Sequence, residues 1–291
     1  MDELFDFEDT IEIEKFEDWK KNSFQKFDYR IAIPTYKRHE TLKNKTLKIL
    51  KDKGIDFNLI DVFVADETEK ELYEKTLEPE TYSKIIVGQK GMRAIRNFIQ
   101  DYYPEGQMVV NLDDDVEKIQ IMKDEKTLLD FDDLDNFFNY AFYVCQKNNI
   151  HYWGVYGVNN PYFMDNSIAL GLRYLEGSFW GNINTHDKST YVTLDDKEDF
   201  ERSLRAYVFD GNVARFDFIS FESKFWTEPG GMQFDGERTP ERVENSGRKL
   251  LELFPQLCKE NTCRKKHFEI KLVEQRPEYK AGSKKRITWS E

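Results

Sequence analysis

The sequence predicts an α/β domain in which a mostly parallel central sheet is flanked by helices. Over the first 115 residues, short apolar runs that end in polar or glycine-containing loops alternate with segments of helical spacing. This alternation is typical of βαβ units, in which the strands are parallel. The chain has 291 residues, of which 39% are hydrophobic, including 23 Phe and 15 Tyr. It can therefore bury the core of one large domain.

In the first half of the chain, each short apolar run is bounded by a turn signal and predicts a strand. The predicted strands cover residues 29–34, 59–65, 84–87 and 108–112. Helical spacing predicts helices over 42–50 and 69–77, and a third helix from Gly91 onward. Crossover connections keep parallel strands in one sense. We therefore expect the loops that follow these strands to converge at one edge of the sheet.

The second half of the chain is less regular. Helical spacing predicts helices over residues 129–147, 195–206 and 240–254. Apolar runs predict strands over 153–158, 191–194, 214–221 and 268–273. Residues 168–171 and 177–181 are apolar or glycine-containing segments, and residues 229–231 predict a tight turn. The absence of repeats and low-complexity linkers predicts one domain over 28–291. Its expected parts are a nucleotide-binding half (28–115), an acceptor half (116–258) and a C-terminal tail (259–291), after an N-terminal arm (1–27).

The charge is unevenly distributed along the chain. The net charge of −12 argues against a generic nucleic-acid binder. Residues 1–18 hold nine acids and one Lys, which predicts a solvated, partly disordered arm. Residues 259–286 hold ten Lys or Arg against four acids. This basic tail is either a solvated face or a patch for a polyanionic acceptor.

Cysteine usage and hydropathy predict a cytoplasmic protein. The three cysteines, Cys145, Cys258 and Cys263, have no zinc or redox spacing, and an odd count fits a reducing compartment. The N-terminus lacks the basic start and apolar core of a signal peptide. Because no apolar run approaches the ~20 residues of a membrane span, we expect no membrane partner. No feature of the sequence indicates an oligomeric state.

The strand at 108–112 runs directly into three carboxylates, Asp113, Asp114 and Asp115. Adjacent carboxylates repel one another unless a cation lies among them, and oxygen ligands favour Mg²⁺ or Mn²⁺. Asp115 is the expected direct metal ligand. Asp113 is expected to contact a ribose or a metal-bound water. The alternative is an acidic turn after a strand.

A third metal ligand is not decided by the sequence. His267 lies in a basic run and could approach a phosphate group, and His186 lies in an irregular segment and is as plausible.

Further candidate nucleotide-binding residues follow the other predicted strands. Tyr36 could stack on a base and Arg38 could reach a phosphate, unless this loop is an ordinary strand exit. Asp66 could accept a hydrogen bond from a ribose or base, or could simply start a helix. The candidates in these loops are Pro34, Thr35, Tyr36, Arg38, Asp66, Gly91, Arg93, Asn97, Asp113, Asp114, Gly230 and Gly231.

The segment from Gly91 to Asn97 carries the strongest of these signals. Arg93, Arg96 and Asn97 fall within one helical turn at the start of a predicted helix. A helix start already favours anions, so two arginines there suggest an anionic ligand or the nearby aspartates. The glycines at 230 and 231 would let the backbone approach a ligand or move as a lid, or would form a plain turn.

A second acidic cluster begins at Asp195. Its common interpretation is a solvated helix with ion pairs between neighbouring turns. The functional alternative is that Glu198 or Asp199 acts as general base on an acceptor hydroxyl, because neighbouring carboxylates raise one another's pKa. The sequence leaves the choice between these two residues open.

Taken in order, these motifs resemble the GT-A (Rossmann-like) fold of nucleotide-sugar-dependent glycosyltransferases. The resemblance covers about residues 28–235. It implies that Asp113–Asp115 hold Mn²⁺ or Mg²⁺ on the diphosphate of a nucleotide sugar, with a UDP-sugar as the expected donor. It also implies that the pair Glu198-Asp199 supplies the base of an inverting enzyme.

Within that fold, the segments 154–156, 216–221 and 228–233 look similar to the TET/JBP-associated glycosyltransferases. That resemblance implies a bacteriophage setting, host cytoplasm and a hydroxymethylated pyrimidine, such as hydroxymethylcytosine, in a DNA acceptor. Base flipping is then expected, and Tyr162, Phe163, Phe179 and Trp180 could receive the base or could pack in the core. The alternatives are a surface glycan or protein acceptor, a sugar nucleotidyltransferase, and a non-catalytic module.

Overall fold

A computed structural model of the chain describes residues 12–223, 230–231, 239–263, 268–277 and 285–289. Within these ranges the chain forms eight α-helices and thirteen strands. The helices are α1 Phe16–Asn22, α2 His39–Asn44, α3 Thr46–Asp52, α4 Glu67–Thr76, α5 Met92–Tyr102, α6 Leu134–Lys147, α7 Glu198–Asp210 and α8 Pro240–Leu253. Among these described helices, we find none with the length and apolar character needed to cross a membrane.

The strands are β1 Tyr29–Pro34, β2 Ile60–Val64, β3 Lys84–Val87, β4 Met108–Leu112, β5 Val116–Asp124, β6 Thr127–Asp130, β7 Tyr152–Tyr156, β8 Ser167–Gly171, β9 Phe179–Ile183, β10 Val213–Ser223, β11 Cys258–Glu260, β12 Ile270–Leu272 and β13 Arg286–Thr288. Eleven of the described strands form one sheet in the order β13-β8-β10-β7-β9-β4-β1-β2-β3, with β5 paired to β10 and β6 paired to β5. The strands β4, β1, β2 and β3 run parallel, whereas β9 is antiparallel to both β4 and β7. The predicted α/β class is confirmed, and the sheet is mixed.

Strand β1 is covered on both faces, which explains its almost unbroken apolar run. Ile31 and Ile33 belong to the main core cluster, which also contains the aromatic face of α6. Ala32 points to the opposite face and packs in a second cluster with residues of α5. Successive side chains of a strand alternate between faces, so a strand buried on both sides is apolar throughout. The carboxyl end of β1 is thereby fixed at the edge where the candidate site lies.

Three predicted elements differ from the structure. The helix predicted over 42–50 is divided into α2 and α3 at Lys45, whose ψ of −91° is not helical. The helix predicted from 129 begins at Leu134, because residues 116–130 form the β5–β6 hairpin. The predicted strand at 191–194 is an irregular segment. Its backbone amides at Thr193 and Leu194 donate to the Glu201 carboxylate instead of to a neighbouring strand.

The prediction of a solvated N-terminal arm is wrong from Glu12 onward. Ile13, Phe16 and Trp19 are buried. The rings of Phe16 and Trp19 lie 5.4 and 5.3 Å from the ring of Tyr140 on α6. All three side chains belong to the main core cluster, and the high acid content of the segment obscured this apolar pattern. Residues 1–11 lie outside the described part of the chain.

The described parts of the basic tail are also built into the fold. Strand β12 pairs with β11, and β13 adds to the large sheet beside β8. The Trp289 indole N–H donates to the carbonyl oxygen of Ile13 at 2.6 Å. The N-terminal and C-terminal segments therefore pack against each other.

Candidate active site

A cavity of about 430 Å³ lies at the carboxyl ends of the parallel strands β1, β2 and β4. Open α/β sheets bind ligands at this position because the loops of several strands meet there. Four loops that are distant in sequence contribute to the lining: 34–38, 89–95, 113–115 and Gly231. Of the predicted residues, the cavity is lined by Pro34, Thr35, Tyr36, Arg38, Gly91, Arg93, Asp113, Asp114, Asp115 and Gly231.

The three aspartates after β4 have different surroundings. Asp114 is buried and accepts hydrogen bonds from the Thr35 hydroxyl at 2.6 Å and from Arg38 at 3.1 Å. Burial raises the pKa of Asp114 to about 7, against the attraction of the Arg38 charge. Asp113 accepts a hydrogen bond from Arg96 at 2.7 Å. Asp114 therefore ties β4 to the loop after β1.

Asp115 and Asp113 are two carboxylates of the cavity that could hold a divalent cation. Burial raises the pKa of Asp115 most, and the charge of Asp113 raises it further. One Asp115 oxygen accepts from the Ser223 hydroxyl at 2.7 Å, and the other lies 3.4 Å from Arg38. Two crowded carboxylates favour a bound cation, and Mg²⁺ commonly takes one or two carboxylates together with substrate phosphates.

A third protein ligand is not present among the described residues. In those ranges, no three His, Cys, Asp or Glu side chains form a group that could hold a metal ion. His186 bonds through Nε2 to the Tyr103 carbonyl, and it does not line the cavity. The other predicted ligand, His267, lies outside the described residues.

The loop after β1 is held by the two glycines at 230 and 231. The Gly231 amide donates to the Tyr36 carbonyl at 2.9 Å. A Cβ on Gly230 would lie 2.6 Å from the carbonyl oxygen of Lys37, and a Cβ on Gly231 would lie 3.0 Å from the guanidinium carbon of Arg38. Both glycines have positive φ angles. Close backbone approach therefore requires glycine at both positions.

The start of α5 points into the cavity, with Gly91 and Arg93 in its lining. The Arg93 amide donates to Asp195 at 3.0 Å, so Asp195 occupies one of the free N–H groups of this helix start. Asn97 does not reach the cavity. Its side-chain amide both donates to and accepts from the Val192 backbone, which fixes the segment that carries Asp195.

Asp66 caps α4 and does not line the cavity. Its carboxylate accepts the Glu69 amide at 2.9 Å, which is the geometry of an N-cap. The neighbouring Ala65 does line the cavity. The structure thus agrees with the alternative in which this residue starts a helix.

Glu198 is enclosed between two arginines. The Arg202 guanidinium donates to Glu198 at 2.6 Å, and the Arg96 Nε atom lies 3.6 Å from its other oxygen. All three side chains are buried. Arg202 also lies 4.0 Å above the ring of Trp180, which belongs to the core together with Phe179. Burial raises the pKa of Glu198, and the two arginine charges oppose this.

Asp199 has a different environment at the start of α7. It accepts a hydrogen bond from the Tyr174 hydroxyl and is less buried than Glu198. A Cβ on Gly177 would lie 3.6 Å from the Asp199 Cβ, and the next residue, Ser178, lines the cavity. Asp199 and Glu198 therefore pack against Gly177, the residue before the cavity-lining Ser178.

Sequence reasoning missed Glu176, a buried carboxylate beside Asp199. The pKa of Glu176 is raised to about 8, chiefly by burial and further by the charge of Asp199. It accepts the Ser178 amide at 2.7 Å. Sequence reasoning also missed several polar cavity-lining residues, among them Ser178, Asp195, Ser223 and Arg242. Asp195 belongs to the acidic cluster and could have been included. No local sequence pattern marks Glu176, Ser178, Ser223 or Arg242.

The raised pKa of Glu176 predicts a stability that falls with pH. Its pKa is about 8 in the folded chain against an ordinary value of 4.5. The folded state therefore keeps a proton that the unfolded state loses. The resulting stabilisation is full below pH 4.5 and disappears as the pH rises through about 8. Glu176→Gln should flatten this fall, which urea unfolding across the pH range measures.

Glu71→Gln is the matched control for this experiment, because Glu71 lies exposed on α4. It should keep the wild-type dependence of unfolding free energy on pH. Equal pH dependence in the Glu176→Gln and wild-type proteins would contradict a protonated Glu176 at neutral pH.

The fold is similar to several solved structures. The first is S. aureus TarS 1-349 in complex with UDP-GlcNAc, with a TM-score of 0.52 and 15% identity over 78% of this chain and 67% of that chain. S. aureus TarS has a TM-score of 0.45 and 15% identity over 77% of this chain and 40% of that chain. The mannosyltransferase PcManGT from Pyrobaculum calidifontis, in complex with GDP-Man and Mn²⁺, has a TM-score of 0.35 and 13% identity over 58% of this chain and 50% of that chain.

No protein-family model and no curated protein matches the sequence. The likeness to TarS 1-349 shows the fold: this chain has a GT-A-like α/β fold, with the cavity at the carboxyl ends of its parallel strands.

Proposed function

We propose that this chain is a metal-dependent glycosyltransferase that moves a sugar from a nucleotide-sugar donor to an acceptor hydroxyl. One observation carries the proposal. The carboxylates Asp113 and Asp115, the start of α5 and the acidic start of α7 meet at one edge of a GT-A-like sheet. Such a site combines an acidic cation site, a helix terminus suited to phosphate and a carboxylate for proton removal.

The donor is proposed to be a nucleoside diphosphate sugar, with a UDP-sugar as the first choice. Tyr36 lines the cavity, and the ammonium groups of Lys37 and Lys90 each lie 5.2 Å from its ring. Tyr36 would contact the base, and the two lysines would contact the anionic part of the donor. Arg93 and the amides at the start of α5 would attract the diphosphate.

Asp115 and Asp113 would hold Mn²⁺ or Mg²⁺. A bound divalent cation would neutralise the charge that develops on the departing diphosphate. Arg38, at 3.1 Å from Asp114 and 3.4 Å from Asp115, orients both carboxylates.

Asp199 is the proposed general base. Glu198 is neutralised by Arg96 and Arg202 and is needed to hold those two buried cations. Asp199 would take the proton of the acceptor hydroxyl, whose oxygen then attacks the anomeric carbon. The bond from that carbon to the phosphate oxygen breaks, and the nucleoside diphosphate departs with its electron pair. Attack opposite to the leaving group makes the transfer inverting.

For the acceptor, we propose a hydroxymethylated pyrimidine of DNA, following the resemblance to the TET/JBP-associated enzymes. A glycan or protein acceptor would keep the same donor chemistry and would lack the steep salt dependence of DNA binding. A nucleotidyltransferase would release pyrophosphate where a glycosyltransferase releases a nucleoside diphosphate. Product analysis therefore separates these two reactions.

A thermal-shift panel of nucleoside diphosphates and nucleotide sugars, with and without Mn²⁺, tests the donor site. A ligand that binds the folded state raises the melting temperature, by the equivalent of about 2.7 kcal/mol at a hundred times its Kd. We expect one nucleotide class to shift the melting temperature only when Mn²⁺ is present. If no nucleotide shifts the melting temperature, with or without Mn²⁺, the proposed function is contradicted.

A further inference from the structure

One short segment, residues 174–178, connects the proposed metal site to the proposed base. It lies between β8 and β9 and ends at Ser178, which lines the cavity. The Ser178 carbonyl accepts the Asp113 amide at 3.0 Å, which binds this end of the segment to the chain after β4. Arg96 holds the same end, because it donates to the Gly177 carbonyl at 3.1 Å and to the Asp113 carboxylate at 2.7 Å. The segment is therefore attached to one of the proposed metal ligands.

The other end of the segment is bound to α7. The Leu175 amide donates to the Ser203 hydroxyl at 2.9 Å, and the Leu175 carbonyl accepts from Arg202 at 3.1 Å. The Tyr174 hydroxyl donates to the Asp199 carboxylate. Because the segment is only five residues long and is bound at both ends, it sets the separation between the metal site and the proposed base.

Both oxygens of the Asp199 carboxylate accept hydrogen bonds. The Tyr174 hydroxyl donates to one oxygen, and the Phe200 backbone amide donates to the other at 2.9 Å. The rings of Tyr174 and Phe200 lie 4.5 Å apart, so the residues that supply the two donors also pack against each other. Each carboxylate oxygen can accept a further hydrogen bond. The carboxylate is thus oriented and still able to accept one from an acceptor hydroxyl.

The two donors to Asp199 are uncharged, in contrast to the donor to Glu198. Glu198 is paired with the Arg202 guanidinium at 2.6 Å, and that positive charge opposes the uptake of a proton. A phenol orients a carboxylate without neutralising its charge. Desolvation, and further the charge of Asp199, raise the pKa of Tyr174 well above its ordinary value. The hydroxyl therefore keeps its proton at neutral pH and remains a donor.

We propose that Tyr174 is a positioning residue for the transfer reaction, which holds Asp199 where the hydroxyl of the acceptor can give up its proton. This role rests on the proposed function, because Tyr174 acts through Asp199. The proton of the acceptor moves to Asp199, while the Tyr174 hydroxyl keeps its own proton throughout. The role is the same for every acceptor that reacts through a hydroxyl group, including water.

The variant Tyr174→Phe tests the proposal, because it removes the hydroxyl and keeps the ring that packs on Phe200. We expect kcat to fall by about tenfold to a hundredfold, which is the effect of losing one hydrogen bond to a charged group. The KM for the donor should be unchanged, since Tyr174 is not among the described residues that line the cavity. Release of UDP from UDP-glucose and from UDP-GlcNAc measures both constants, with hydroxymethylated DNA as acceptor and, in a second series, with water alone.

A double-mutant cycle shows whether Tyr174 acts through Asp199. The double variant Asp199→Asn/Tyr174→Phe should react as slowly as Asp199→Asn alone, because the hydroxyl then has no base to position. Tyr207→Phe is the matched control. Tyr207 lies on the same helix as Asp199, and its hydroxyl donates to the buried Glu274 carboxylate at 2.9 Å. This control should keep the kcat of the wild type.

Three results would contradict the proposal. A wild-type kcat in Tyr174→Phe, or a further loss of rate when Tyr174→Phe is added to Asp199→Asn, would overturn the positioning role and leave the transferase standing. A lowered melting temperature together with a donor KM that rises as kcat falls would assign Tyr174 a merely structural role. A wild type that releases no UDP and shows no Mn²⁺-dependent thermal shift would instead refute the proposed function, and the role of Tyr174 with it.

Discussion

Replacement of Asp199 by Asn is expected to lower kcat by about 10²–10⁴-fold, the usual contribution of a general base. Asparagine keeps the size of the side chain and can still accept the hydrogen bond from Tyr174, but it cannot take a proton from the acceptor. The affinity for the donor should be unchanged, because Asp199 does not line the donor cavity. Release of the nucleoside diphosphate under multiple turnover, with saturating donor and hydroxymethylated DNA, measures kcat, and the thermal shift measures donor binding.

Glu198→Gln distinguishes the two candidate bases. Glutamine leaves the buried guanidiniums of Arg96 and Arg202 without the carboxylate that they share. Loss of one partner from a buried ion pair costs about 3–5 kcal/mol, so we expect a large loss of stability. A Glu198→Gln protein that remains as stable as the wild type and loses all turnover, beside an active Asp199→Asn protein, would assign the base to Glu198.

Asp115→Asn is the second variant with a large expected effect. We expect kcat to fall by about 10²–10³-fold, as when one electrostatic contact to a developing charge is removed. The Mn²⁺-dependent part of the nucleotide thermal shift should also disappear, because a neutral amide is a weak ligand for a hard cation. The fold should keep its stability. Burial and the charge of Asp113 already disfavour the ionised form of Asp115, as its raised pKa indicates.

Calorimetric titration of Mn²⁺ into the variant with saturating nucleotide provides a readout that does not depend on the acceptor. Asp52→Asn is the control, since Asp52 lies exposed at the end of α3. It should bind Mn²⁺ and nucleotide as the wild type does. If the Asp115→Asn variant binds Mn²⁺ with the wild-type affinity, Asp115 is not a metal ligand.

The four parallel strands could be predicted with accurate bounds, because each is a short apolar run with a clear stop. The strands 29–34 and 84–87 were predicted with the bounds that the structure has. Parallel connections then required their loops to share an edge, which is how the sequence alone placed Thr35, Gly91 and Asp113 close together. This inference needs no side-chain detail, since it depends only on strand direction.

The mixed half of the sheet could not be predicted in this way. Strand β9 lies between β4 and β7 and runs antiparallel to both, although nearly 70 residues separate it from β4 along the chain. The β5–β6 hairpin was hidden because its exposed polar residues weaken the alternation. Long-range pairing of this kind depends on packing that no local window contains.

The sequence by itself determined the fold class, the run of parallel strands and the aspartates at their edge, because these follow from local apolar periodicity and chain direction. Only the tertiary structure decided how the charged residues pair. Arg38 reaches Asp114 across 76 residues, Arg96 and Arg202 enclose Glu198, and Glu176 lies beside Asp199. The pKa of a carboxylate depends on burial and on charges brought near it by folding. Sequence could therefore nominate an acidic pair, whereas the ion pairs of Glu198 with Arg96 and Arg202 are the reason for proposing Asp199 as the base.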